Sequence, residues 1–284
     1  MRQAEYEALS LRMRHGYEYG ETKGVGFFRA ASLEGMSGLI HGFTARKGGV
    51  SAPPFDTLNL AFGKTEPMDA PKNVQRNFEI FCAAAGVPYH SLCIINFEHG
   101  ANVVAVSGAD CGRGIVRGPL APCDGLVTND PAVTLITSHA DCGAFFLYDP
   151  VHRAVGAGHA GWKGMLGRIG RNLVEAMRRE YGSNPADLIA SNGPCICRNC
   201  YEVDEALAAQ FEAEFGVACS TTGRPGKRQL DLEIPAAVQL LEAGVRPENI
   251  TLMHACTFEM PELLFSHRRV RGKTGDMAGF IKLT

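Results

Sequence analysis

Apolar residues along this chain follow two rhythms, and the change from one to the other marks the elements. In "DAPKNVQRNFEIFCAAAG", residues 69–86, Val74, Phe78, Phe81 and Ala85 recur at helical spacing. Pro71 suits a first turn and Gly86 a stop, so the pattern predicts a helix. The same period predicts helices over residues 165–182, with Leu166, Ile169, Leu173 and Met177, and over 203–216, with Val203, Leu207, Phe211 and Phe215. "IPAAVQLLEAG", with its early proline and terminal glycine, predicts another. Short apolar runs read instead as strands: "LIHGFTA", "LCIINF", "NVVAVS", "GLVTN" and "AVTLITS". Residues 1–35 are the least patterned, and "RKGGVSAPPFDTLN" reads as a Gly/Pro-rich loop region.

Strands and helices do not alternate regularly, which favours an α+β fold over a doubly wound parallel sheet. No repeat, low-complexity tract or long linker divides the 284 residues, so a single domain over 1–284 is expected. The centre of the chain, "CGAFFLYDPVHRAVGAGHA", reads as a hairpin turning at Asp149 and Pro150. Its strands are apolar on both faces, the mark of a sheet covered on both sides.

Composition narrows the classes of function. With 45% hydrophobic residues the chain can bury a large core. Its 28 basic and 30 acidic residues are spread evenly and leave a net charge of -2, which offers no footprint for nucleic acid or an anionic membrane. A small-molecule ligand is expected. Apolar runs such as "AFFLY" are far short of the roughly 20 residues that cross a bilayer, and the N-terminus lacks the apolar stretch of a secretory signal. A cytoplasmic location follows, in which the ten cysteines are reduced thiols serving packing or metal binding.

The stretch "GAGHAGWKG" begins with a literal G-x-G-x-x-G. A dinucleotide site would also need a following parallel strand ending in an acid that bonds the ribose. The strand after the next helix, "DLIASNG", ends in Ser191 and Asn192 instead. A different use is sharper. If Asp149 to His152 form a four-residue turn, Cys142 pairs with His159, and side chains opposed on one face stand about 4.5–5.5 Å apart. A thiolate and an imidazole so placed can share one zinc ion, with bonds of about 2.3 and 2.0 Å. A one-residue slip would separate them to opposite faces. Gly156 and Gly158 then lie on the other face, where missing side chains let another layer approach. A catalytic zinc takes three protein ligands and an open position. His99, in "NFEHGANVVAV", is one candidate among several for the third.

The motifs "HGFTARKGGVS", "LNLAFG", "EHGANVVAV", "DGLVT", "ADC", "HAGWKG", "GPCICRNCYEV", "CTF" and "FSHRRVRGKTGDMAGFIKL" occur in the order of the YfiH family, also known as laccase-domain or polyphenol-oxidase-like proteins. The resemblance runs from about His41 to the end. It implies a single-domain layered α/β/β/α sandwich and zinc held by His99, Cys142 and His159, with copper the less favoured occupant. It also implies phosphorolysis of purine nucleosides, with adenosine deamination and methylthioadenosine phosphorolysis as related activities. Purine nucleoside and phosphate are then the ligands. Four positions depart from the family's usual pattern: Phe97 stands for glutamine, His139 for threonine, His267 for tyrosine and Lys163 for arginine. Of these, His139 is expected to add a polar group to the pocket.

Around such a centre, Asp141 is the candidate proton shuttle, with a turn-capping role as its alternative. Arg46 and Arg268 are candidate phosphate ligands, because a guanidinium donates two parallel hydrogen bonds. Cys195, Cys197 and Cys200 in "CICRNC" have no clear fourth partner for structural zinc and are read as buried thiols beside the pocket. Two other enzyme classes stay open. A Cys142–His159 pair is also the nucleophile and base of a thiol hydrolase or amidase, and the resemblance to bacterial relatives extends this to one that edits peptidoglycan precursors. A copper polyphenol oxidase is disfavoured, because none of the nine histidines forms an H-x-H pair.

Overall fold

The computed structural model describes residues 1–61 and 68–284. The last two residues of the "LNLAFG" motif lie outside the described residues.

Two sheets stack face to face, and helices cover the outer side of each. One sheet has seven strands in the order Arg14–His15, Ile250–Leu252, Ile189–Asn192, Gly143–Asp149, Ala154–Ala160, Gly125–Thr128 and Val103–Ala105. The other has six: Tyr17–Thr22, Val25–Ala30, Leu39–Thr44, Met277–Leu283, Thr134–His139 and Leu92–Ile94. Three buried clusters define the layers. Phe28, Phe43, Phe146, Tyr148, Val155 and Ile281 pack between the sheets. Helices Ile169–Tyr181 and Glu233–Glu242 cover the outside of the larger sheet, and their Leu173, Met177 and Val238 share one buried cluster with Phe145 and Leu147, which Phe211 of helix Glu205–Phe215 joins. Helix Pro71–Ala85 sets Val74, Phe78 and Phe81 against Phe27 and Phe280 of the smaller one. The fold is the α/β/β/α sandwich that the family resemblance implies. A small three-stranded sheet, Glu202–Asp204, Lys227–Leu230 and Ser220–Thr222, stands beside it.

The central hairpin explains the double-sided apolar pattern, since all seven residues of each strand are buried. Odd and even positions serve different layers: Phe145 and Leu147 face the helices, Phe146 and Tyr148 face the second sheet. The register differs from the sequence expectation by two. Asp149 pairs with Ala154 and Ala144 with His159, so Cys142 lies one step beyond the strand end, next to Gly161. The turn is longer because the buried Asp149 carboxylate accepts hydrogen bonds from the Val151 and His152 N–H groups, at 2.8 and 3.1 Å, while Arg153 takes a left-handed conformation. A shift of two keeps side chains on their original face, so Cys142 and His159 still share one.

Other departures have local causes. Residues 165–182 form two helices, Trp162–Leu166 and Ile169–Tyr181, broken at Arg168, whose φ is 59°. Arg168 reaches Glu214 and Glu242, which anchors the break to two neighbouring helices. The weakly patterned N-terminus folds as helix Gln3–Ser10 and the hairpin Tyr17–Thr22 with Val25–Ala30. Its outer strand lies at the sheet edge, where no residue is fully buried, so it carries no alternation. Among the described residues no helix is long and apolar enough to cross a membrane, and all ten cysteines are free thiols.

The glycines of "GAGHAG" fit this packing. A Cβ on Gly158 would stand 2.6 Å from Leu173 Cδ1, and one on Gly156 3.3 Å from Met177 Sδ, so both positions admit helix Ile169–Tyr181 onto the sheet. Strand Ile189–Asn192 pairs antiparallel with Gly143–Asp149 rather than parallel with Ala154–Ala160, which removes the nucleotide crevice of a dinucleotide fold. Gly158→Val should therefore lower stability by about 1–3 kcal/mol through overpacking. Denaturant unfolding checks this, and pairing it with Leu173→Ala should recover part of the loss, because the two side chains compete for one space.

Candidate active site

His99, Cys142 and His159 converge at one wall of a cavity of about 670 Å³. Their ligating atoms all lie within 4.8 Å of one another. Each comes from a different element: the loop between Leu92–Ile94 and Val103–Ala105, the turn preceding strand Gly143–Asp149, and the strand Ala154–Ala160. Cα positions at two of these places are unusual. His99 has φ 61° and Asp141, the neighbour of Cys142, has φ 101°. Such backbone costs about 1–3 kcal/mol and persists only where surroundings over-determine it. Asp141 meets that condition. Its carboxylate accepts hydrogen bonds from Thr257 Oγ1 and the Arg268 N–H, both 2.6 Å, and its carbonyl accepts from the Ile196 N–H at 3.0 Å.

One residue absent from the sequence reading ties the cluster together. The fully buried Asp124 accepts from His159 Nδ1 at 3.0 Å through one oxygen and from the Gly100 N–H at 2.7 Å through the other. Its backbone carbonyl takes the His159 N–H at 2.7 Å. Asp124 thus fixes the His159 ring with Nε2 turned toward Cys142 and holds the loop that carries His99. Its signal in the sequence is an Asp–Gly pair at the start of the "GLVT" strand, which reads equally well as a turn. Gly161 completes the fit: a Cβ there would lie 3.0 Å from His99 Cδ2 and 3.3 Å from Cys142 Sγ.

The electrostatics follow from this geometry. Burial opposes a charged His159, but the Cys142 thiolate and the Asp124 carboxylate outweigh it and raise the imidazole to about 9. Burial likewise opposes the Cys142 thiolate, and the His159 and His99 rings outweigh it, lowering the thiol to about 7. The Asp124 carboxyl is pushed up by burial, yet its bonds to His159 and Gly100 hold it below the ordinary carboxylate range. Without a metal, the two shifts together favour a thiolate facing an imidazolium.

The remaining sequence candidates divide. Asp141 and Arg268 line the cavity, as do Phe97 and His267. Arg268 donates to the Glu202 carbonyl at 2.7 Å and lies over the Tyr201 ring. Arg46 is not among the cavity residues. Its guanidinium donates to the carbonyls of Asp56 and Pro261, pairs with the Asp56 carboxylate at 3.1 Å and covers the Phe265 ring, all contacts within the protein. His139 does not add a polar group to the pocket. It is buried beneath the cluster, bonded to the Cys142 carbonyl and Thr137 Oγ1, and burial together with the charge on His159 pushes its pKa well below the ordinary value. Lys163 sits over the ring of Trp162, outside the cavity.

A layered α/β/β/α sandwich thus brings one thiol and two imidazoles, a group that could hold a metal ion, to the wall of one cavity. Residues 40–284 match the family described as multi-copper polyphenol oxidoreductase laccase. The chain is 36% identical over 248 residues to the purine nucleoside phosphorylase YlmD of Bacillus subtilis, covering 86% of this chain and 88% of that protein. It is 36% identical over 260 residues to a purine nucleoside phosphorylase of Deinococcus radiodurans, covering 92% and 94%. The structure of YlmD from Geobacillus stearothermophilus matches with a TM-score of 0.87 at 30% identity, over 94% of this chain and 98% of that one. The YfiH protein of Bacillus licheniformis matches with a TM-score of 0.84 at 32% identity, over 92% and 97%. The chain belongs to this laccase-like family of YfiH and YlmD proteins.

In chelator-treated protein, alkylation of Cys142 should rise with pH through a midpoint near 7, because the thiolate is the reactive form. Asp124→Asn removes the charge that supports the imidazolium, so the midpoint should move upward. An unmoved midpoint would show that Asp124 does not act on the pair.

Proposed function

We propose that the protein is a purine nucleoside phosphorylase acting against the His99–Cys142–His159 wall, with zinc held by those three side chains. The observation that carries the reading is the convergence of two imidazole nitrogens and one sulfur within 4.8 Å at a cavity of nucleoside size. Relatives spanning most of the chain carry the name purine nucleoside phosphorylase. Three mixed N/S donors with room for a fourth partner are the donor set of catalytic zinc. The Asp124 carboxylate behind His159 is the supporting bond that ligating histidines ordinarily have. The lack of an H-x-H pair speaks for zinc over copper. When bound, such an ion supplies Lewis acidity at this wall.

The protein's own groups account for the rest. Ile95, Phe97, Ile196 and Tyr201 give the cavity apolar surface for a purine, and Asn59, Ser138 and Asp276 give it polar atoms for a ribose. Arg268 and His267, which line the cavity, would bind phosphate, a role for which Arg46 is already engaged elsewhere. In phosphorolysis a phosphate oxygen bonds to C1′ while the C1′–N9 bond breaks, and the purine leaves with the electron pair and takes up a proton. A guanidinium beside the phosphate opposes repulsion between the anion and the electron-rich leaving group. Methylthioadenosine is a substrate of the same reaction. Adenosine deamination finds less support, because both Asp141 oxygens already accept hydrogen bonds, which leaves this carboxylate poorly placed to shuttle protons.

A thiol hydrolase is the second reading, favoured by the Cys142–His159–Asp124 series, which has the order of a nucleophile, base and orienting acid. It leaves His99 only a supporting bond to the thiolate, whereas the metal reading uses all three side chains as ligands. Incubation with inosine, adenosine or methylthioadenosine plus phosphate should release free base and ribose 1-phosphate, or its methylthio analogue. Chelation should stop the reaction and zinc restore it, and alanine at His99, Cys142 or His159 should abolish it. Arg268→Ala should raise KM for phosphate about 10- to 100-fold, the equivalent of one charged hydrogen bond of about 1.5–3 kcal/mol. Intact nucleosides throughout, with an acyl adduct trapped on Cys142, would transfer the case to the hydrolase.

A further inference from the structure

A second set of metal-ligating side chains lies apart from the cavity wall. Cys197, Cys200, Cys256 and Glu259 bring three sulfurs and a carboxylate oxygen within 4.8 Å of one another. None of the four lines the cavity. In the sequence they form two short motifs of equal spacing, C-x-x-C and C-x-x-E, some 60 residues apart. The chain brings the two together through a parallel bridge between Cys195 and Cys256. The Cys195 N–H donates to the Ala255 carbonyl at 3.0 Å and the Thr257 N–H to the Cys195 carbonyl at 3.1 Å. A tight turn then presents both sulfurs of the first motif, with the Cys200 and Tyr201 N–H groups donating to the Cys197 carbonyl at 3.1 and 3.0 Å.

The donor set differs in kind from the His99–Cys142–His159 cluster. That cluster has three donors and an open side, while this one has four, the number of a closed structural site. Three thiolates select a soft or borderline cation such as zinc. Tetrahedral bonds of about 2.3 Å to sulfur and 2.0 Å to oxygen give S···O edges of about 3.5 Å. Cys200 Sγ and Glu259 Oε1 are 3.5 Å apart. Three thiolates and a carboxylate leave excess negative charge around a divalent ion, and the Arg269 guanidinium stands beside them, donating to the Thr257 and Phe258 carbonyls at 2.6 and 3.0 Å.

We propose that Cys197, Cys200, Cys256 and Glu259 bind a structural zinc ion that pins residues 195–201 to residues 256–259. The pinned segments form part of the cavity's support. Ile196 and Tyr201 line the cavity, and Thr257 holds the strained Asp141. The ion acts as a clamp behind the wall and takes no part in the reaction there, so the assignment is independent of what the cavity binds.

Full-length protein, purified under reductant, stripped of metal and titrated with cadmium, tests the clamp. Wild type should bind two equivalents. Cys142→Ala should lose one and keep most of the thiolate-to-cadmium absorbance, since three of the four liganding thiolates belong to the second site. The Cys200→Ser/Cys256→Ser double variant should keep one equivalent and lose most of that absorbance. In the Cys142→Ala protein, cadmium should protect Cys197, Cys200 and Cys256 from alkylation, and zinc should raise Tm. This protection measurement stands even if the double variant does not fold. Binding of a single equivalent that vanishes with Cys142→Ala overturns the proposal. So does a Cys197–Cys200 or Cys197–Cys256 disulfide in protein kept under reductant, or undiminished alkylation of the three thiols at saturating cadmium.

Discussion

The buried Asp124 carboxylate is the constraint around which the candidate active site is arranged. One oxygen fixes the ring of His159 on a rigid central strand, and the other secures the Gly100 N–H of the loop that carries His99. An ionised carboxylate without solvent is costly unless its lone pairs are filled, and both of its oxygens here accept from groups that the cluster needs. The cost of burial thereby enforces the geometry. Removing either partner would leave a charge in the core, so the loop and the strand cannot drift apart independently.

The sandwich provides the setting. A sheet buried on both faces can devote one face to packing and the other to chemistry, because side chains alternate along each strand. In Ala154–Ala160, Gly156 and Gly158 receive helix Ile169–Tyr181, while His159 faces between the sheets toward Cys142. The unusual backbone at His99 and Asp141 sits at the two points where ligands leave regular structure. Regular strands alone would not aim these side chains at one another, and the hydrogen bonds around them offset the strain.

The two groups of side chains that could hold a metal ion differ in design within one chain. Two nitrogens and a sulfur at an open cavity leave room for a substrate atom. Three sulfurs and a carboxylate between two zipped segments leave none, and suit a fixed joint. Both stand on backbone pairings distant in sequence, and neither uses a run of adjacent ligands.

Much of the architecture is legible in the residues. The stripe Val74, Phe78, Phe81 with Gly86 behind it marks helix Pro71–Ala85, and the two-sided apolar runs mark the central hairpin, because burial is written in local periodicity. Motif order carried the family. The side-chain parity of Cys142 and His159 also follows from the strands, and it survives a turn two residues longer than expected because the pleat repeats every two residues. Local pattern thus set most of the elements and the faces they bury, the N-terminal helix and hairpin and the break at Arg168 excepted. Tertiary structure alone decided that Asp124 stands behind His159, that Arg46 serves Asp56 and Phe265 rather than the cavity, that His139 lies under the cluster, and that Cys256 and Glu259 join Cys197 and Cys200. Local periodicity reports the environment of a residue's own segment. Asp124 and His159, 35 positions apart, and Cys197 and Cys256, 59 apart, meet only when sheets stack and loops close, and that information has no period to read.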